Sequence, residues 1–167
     1  MFQSFFPQPK MFFSSLAIWC GLLILVWYSF GQTIGEAIGF DLSEKEQVIG
    51  LGHFITSEFL WFDTFFAFGT IAFFLVWRSR SPHEWQIWSV LGSALLIYLS
   101  YASVQVSVVI NAWYGPFYND IQTALTGDGG ITAGDLYGHF LVFCTIAFPY
   151  ILFIILNRFF TAHYIFR

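Results

Sequence analysis

The chain is 167 residues long, with 57% hydrophobic, 23% aromatic and only 10% charged residues, and a net charge of −4. A soluble domain carries about 25% charged residues, so this composition excludes one and reads as an integral membrane protein. The acidic balance leaves no basic footprint for nucleic acid.

Four apolar segments follow one another. The first, MFFSSLAIWCGLLILVWYSF at 11–30, carries no charge and matches the roughly 20 residues that a spanning helix needs. It is too long for the apolar region of a cleaved signal peptide, and no small-x-small cleavage site follows it, so it reads as an uncleaved anchor. Gly31, Gly35 and Gly39 come next as a doubled GxxxG pattern. A flexible exit segment is the reading preferred over a helix contact, because the glycines lie beyond the apolar 20-mer. The second segment, 59–77, is interrupted only by Asp63, with Glu58 just outside. A carboxylate within a span is a functional candidate by default, and Asp63 with Glu58 is the candidate pair for proton coupling. Asp63 lies about one turn in from the outer end of the segment, shallow enough to be hydrated, so an interfacial residue is the reading preferred over proton coupling.

The third segment, 85–114, opens on SPHE, where Ser81 is the expected N-cap, Pro82 the first helical residue and Glu84 the capping-box partner. At 100° per residue, Ser89, Ser93, Ser100, Ser103, Ser107 and Asn111 fall within about 40° of one line. Such a face suits either a close helix contact or the wall of a polar cavity. The segment ends in NAWYGPFYNDIQTAL, 111–125. A helix from 85 to 114 would be about 45 Å long against roughly 30 Å of hydrocarbon, so this stretch belongs at or beyond an interface. Pro116 predicts a kink, and helical phase is not carried past it. The fourth segment, 136–156, starts from the capping box Thr132–Asp135 and contains Pro149, a second predicted kink.

Basic residues set the orientation. Lys10, Arg78, Arg80, Arg158 and Arg167 flank the segments on one side, whereas Lys45 is alone on the other. The positive-inside rule places both termini in the cytoplasm, with the acidic loop bearing Glu36, Asp41, Glu44, Glu46 and Glu58 outside. His53, His83, His139 and His163 lie at helix ends or in loops without metal-ligand spacing, and read as headgroup-level or capping histidines. Cys20 and Cys144 fall in apolar runs and read as packed, inert thiols. No GxxxxGK[ST], GxSxG or HExxH element occurs, so there is no P-loop nucleotide site and no hydrolase or zinc-protease motif. No metal, cofactor or enzymatic activity is expected. The residues thus describe an all-α, polytopic membrane protein of four transmembrane helices, N-in/C-in, forming one domain over 1–167.

Several stretches resemble the SbmA/BacA family of bacterial peptide-antibiotic transporters: MFQSFFPQPKMFF at the start, SPHEWQIWSVLGSALLIY (81–98), VQVSVVINAWYGPFYNDIQTAL (104–125) and NRFFTAHYIFR (157–167). The loop around 31–58 matches weakly. The resemblance implies an inner-membrane homodimer that imports peptides by the proton gradient, with a fold related to the membrane domain of ABC exporters but without an attached ATPase. Members of that family are much longer and continue past the point equivalent to HYIFR, so the chain resembles their N-terminal portion and is expected to be an incomplete fragment. With the serine-lined face, this makes Asn111, Trp113, Tyr114, Tyr118 and Gln122 the candidate contacts for a peptide substrate. Two other readings stay open: the membrane half of an ABC exporter with a separate ATPase, and a non-transporting assembly or dimerisation protein.

Overall fold

The computed structural model describes residues 8–43, 48–127 and 130–165, and all the regular structure among them is helical. Glu44, Lys45, Glu46, Arg167 and the first seven residues of the family-like N-terminal stretch lie outside the described residues. Four helices are long and apolar enough to cross a membrane: α1 (Pro9–Ile38), α2 (Ser57–Arg80), α3 (Ser93–Thr126) and α4 (Ala133–Ile165). A 3-10 turn (Leu51–Ile55) precedes α2, and a π-helical segment (Ile87–Gly92) leads into α3. The chain divides into two units, one of residues 1–45 and 57–95, the other of 46–56 and 96–167.

In the first unit α1 and α2 form an antiparallel hairpin. The Trp19 indole donates to the Gly69 carbonyl at 3.0 Å, and the Trp77 indole to Ser15 Oγ at 3.0 Å. Further along, Trp27 stacks on Trp61. Near the start of α1 and the end of α2, Phe12, Phe73 and Val90 form a buried cluster packed by Leu16, Trp19 and Trp77. Rings thus recur along the hairpin, and a glycine permits close approach. A Cβ on Gly69 would lie 2.7 Å from Leu23 Cδ1.

The GQTIGEAIG stretch is not a flexible exit. It extends α1 to Ile38, and Gly39 (φ 108°) ends the helix. The Gly39 N–H donates to Glu36 O at 3.0 Å and the Phe40 N–H to Gly35 O at 3.0 Å, the two bonds of a Schellman motif that only a left-handed residue permits at low cost. Gly35 faces its own chain: a Cβ there would lie 2.6 Å from Leu42 Cδ1 and 3.0 Å from Trp61 Nε1.

In the second unit α3 and α4 are antiparallel. Val106, Val109 and Trp113 of α3 bury against Ile146 of α4, with Phe54, Val142, Phe143 and Phe153 around them. His53 of the 3-10 turn is hydrogen-bonded to Gln105 of α3 at 3.0 Å, and Asn157 of α4 donates to Ser100 of α3 at 3.3 Å.

Three expectations about helix ends and packing are corrected. Ser81 is not an N-cap: its N–H continues the α2 ladder to the Trp77 carbonyl at 2.9 Å, and His83 Nδ1 instead accepts the Trp85 N–H at 3.2 Å. Regular winding therefore starts at Gln86. α3 does not end at Tyr114 but runs through Pro116 to Thr126, and α4 runs through Pro149 to Ile165. Each proline removes one N–H donor, a loss that the flanking turns of so long a helix absorb. Cys20 and Cys144 are free and exposed rather than packed, because each lies on an outward face. Large apolar side chains are exposed along the helices as well, among them Ile18 (65% exposed), Phe68 (70%) and Phe148 (72%). Water would not support such surfaces, whereas hydrocarbon does. The chain is a multi-pass membrane protein.

The capping box is as the sequence indicates. The Thr132 N–H and hydroxyl both reach Asp135 Oδ2 at 2.7 Å, and the Asp135 N–H returns to Thr132 Oγ1 at 3.4 Å.

Candidate functional site

Because α3 stays helical through Pro116, NAWYGPFYNDIQTAL is one continuous surface with two unlike faces. Trp113, Phe117 and Asp120, spaced i, i+4 and i+7, fall on the face turned to α4. Trp113 is only 5% exposed. Its ring stacks on Phe117 at 4.5 Å and packs against Phe143 at 5.0 Å. Its indole N–H donates to the His139 carbonyl at 2.9 Å. Trp113 is therefore an anchor between the helices, not an open aromatic surface, which corrects its assignment as a peptide contact.

Two turns on, Asp120 Oδ2 lies 2.8 Å from His139 Nε2, and the His139 ring meets Phe117 edge-on at 5.8 Å. The imidazole is thus held by a carboxylate on one side and an aromatic edge on the other, while both side chains keep partial access to the surface. This pair has no counterpart in the sequence reading, which took His139 as a solitary helix-end residue. Extending the 113–117–120 spacing through the proline would have aligned Asp120 with Trp113.

The other face of the stretch is open. Tyr114 (42% exposed) and Tyr118 (54%) stack on each other at 5.7 Å with an interplanar angle of 22°. Asn111 and Gln122 are exposed on α3 as well. Of the candidate contacts, then, Asn111, Tyr114, Tyr118 and Gln122 are available to a ligand, and Trp113 supports them from behind. Two flat phenolic rings flanked by amides can pack against apolar or ring-bearing side chains while exchanging hydrogen bonds with a peptide backbone.

The serine face divides at the π segment. Ser89 lies within it, where i→i+5 winding breaks the 100° phase, while Ser93, Ser100, Ser103 and Ser107 lie on α3 with Asn111. The hydroxyls of Ser100, Ser103 and Ser107 donate to the carbonyls of Leu96, Leu99 and Ser103 at 2.9, 2.9 and 3.2 Å. Each donor is therefore satisfied within the helix, and the oxygen keeps acceptor capacity for a partner, as Ser100 shows with Asn157. Glu58 and Asp63 belong to the first unit; Glu58 is exposed in the first turn of α2, and Asp63 is half-buried in the same helix. Among the described residues no group of three or more His, Cys, Asp or Glu side chains is arranged to hold a metal.

A model of the SbmA/BacA-like family matches residues 82–167, a little over half of the chain. The match covers the whole of α3 and of α4, and with them both faces of the stretch just described.

Proposed function

Since the chain belongs to the SbmA/BacA-like family, we propose that it acts in the import of peptides and peptide antibiotics across the bacterial inner membrane, driven by the proton gradient. The observation that carries the reading is the family match over α4 and over α3, which bears the exposed Tyr114–Tyr118 stack. On this reading α3 contributes part of the outward mouth of a peptide cavity. Asn111 and Gln122 bond the peptide backbone, and the tyrosine rings lie against its side chains. Both termini are cytoplasmic, in keeping with the basic residues that flank the spans, and two copies associate in an arrangement akin to the membrane domains of ABC exporters. The energy source is the gradient rather than nucleotide, in keeping with the lack of a P-loop motif in the sequence.

A carrier of this kind needs a group that changes charge on the side where protons enter. Asp63 and Glu58 of α2 are one candidate set. His139 with Asp120, on the helices that carry the proposed peptide contacts, is a second. Uptake of a labelled proline-rich peptide by cells expressing the protein tests the proposal. Accumulation should be lost on adding an uncoupler, whereas uptake that persists without a proton gradient but requires ATP would contradict it.

A further inference from the structure

The first unit holds a crevice between the start of α1 and the end of α2 that the transport reading does not use. It encloses about 200 Å³, and its lining changes character along its length. Trp19, Phe73 and Trp77 make the deep part, while Gln8, Arg80 and Ser81 make the rim. The deep part has no hydrogen-bond donor to spare. The Trp19 N–H is taken by Gly69, and Ser15 Oγ accepts from Trp77 while donating to the Phe12 carbonyl at 2.8 Å. Its walls are therefore set by internal bonds, and what they offer a ligand is aromatic and aliphatic surface.

The rim is the reverse. Arg80 is exposed, and among the described residues it makes no ion pair. A guanidinium presents a planar fork of donors that matches phosphate oxygens. From Gln8 to Trp19 the crevice follows about 16 Å of helix, which takes it from the end of the span well into the hydrocarbon. Its volume falls below the roughly 300 Å³ at which drug-sized pockets begin, so it accommodates part of a chain rather than a compact ligand. Charge selects the occupant: the antiparallel pairing brings Lys10, Arg78 and Arg80 to one end of the hairpin, against Glu84 as the nearby carboxylate in sequence.

We propose that this crevice is a binding site for an anionic phospholipid, with the phosphate on Arg80 and one acyl chain along Trp19, Phe73 and Trp77. The inference needs only that the helices span a bilayer, so it stands or falls separately from peptide import. The site lies where the aromatic and basic residues of a span meet the headgroups, and each basic side chain near an anionic surface adds about 1 kcal/mol of attraction, or on the order of fivefold in lipid affinity.

Tryptophan quenching by brominated acyl chains tests it. The protein is placed in nanodiscs of phosphatidylcholine containing equal fractions of brominated phosphatidylglycerol or brominated phosphatidylcholine. The anionic lipid should quench more strongly, and the excess should be lost in Arg80→Gln, kept in Arg80→Lys and Arg78→Gln, and reduced in Trp19→Phe/Trp77→Phe. Equal quenching by both lipids overturns the proposal, as does an equal loss of the excess in Arg78→Gln, which would mark diffuse attraction rather than a site. Suppression of the excess by inorganic phosphate would also overturn it, by assigning the rim to a soluble anion. Unchanged thermal midpoints identify the variants that remain folded, and Arg80→Lys serves as the control that keeps the charge.

Discussion

His139 of α4 and Asp120 of α3 meet at 2.8 Å, two helical turns along α3 from Trp113, whose indole is tied to the His139 carbonyl. Backbone and side chain of one residue thus fasten the same helix end twice. The contact keeps partial solvent access, so its net worth is about 1 kcal/mol or less. Asp120→Ala should lower the thermal midpoint in detergent by only a few degrees. Asp120→Asn should recover part of that loss, because an amide can still hydrogen-bond the imidazole.

Trp113 carries a larger share of the joint. Trp113→Ala empties a site between Phe117, Phe143 and Ile146 and removes the indole bond to the His139 carbonyl. The expected loss is about 3–5 kcal/mol, read as a sharply lower midpoint or as failure to accumulate in the membrane. Tyr118→Ala, on the exposed face of the same turn, should stay within about 0.5 kcal/mol of the unsubstituted chain. A comparable loss from both substitutions would contradict the division of the stretch into a packed face and an open one.

That division shows how much the sequence discloses. The four spans are legible because hydropathy reports the hydrocarbon thickness, and the Thr132–Asp135 box is legible because its chemistry is local. Helix length is not legible in the same way. The extensions at 31–38, 115–126 and 157–165 are polar, glycine-bearing or aromatic, and their helicity comes from continuation of a long helix, not from their own composition. Pro116 reads as a kink past which helical phase is not carried, yet it sits in the interior of α3. Ser81, a plausible cap by type, is drawn into α2 while the imidazole of His83 takes the bond. The Asp120–His139 pair spans 19 positions and two helices, so it exists only once the pairing of α3 with α4 is known.

The α1–α2 hairpin provides an independent check on close packing. Gly35→Ala would push a methyl group against Leu42 and the Trp61 ring, and Gly69→Ala would push one into Leu23. Gly35→Ala, which meets the Trp61 ring as well as a leucine end, should cost about 1–3 kcal/mol, measured as a drop in thermal midpoint, whereas at Gly69 only Leu23 has to turn aside and the drop should be smaller. Gly21→Ala, where a Cβ meets nothing within 4 Å, should be neutral.

Loss of the α4 capping box should be felt locally. Asp135→Ala removes the acceptor of both Thr132 bonds, and Thr132→Ala removes the side-chain acceptor of the Asp135 N–H. Either should cost about 0.5–2 kcal/mol, with faster hydrogen exchange confined to the first turn of α4. Exchange that accelerates along the whole helix would mean that the box holds more than its own turn.

Influx of a labelled proline-rich peptide into proteoliposomes, under an imposed inward proton gradient and without nucleotide, tests the central claim most directly. The account predicts influx that ceases when the gradient is collapsed and that falls in Asn111→Ala and Tyr118→Ala at equal protein content. No gradient-dependent influx, or influx unchanged in both variants, would contradict it.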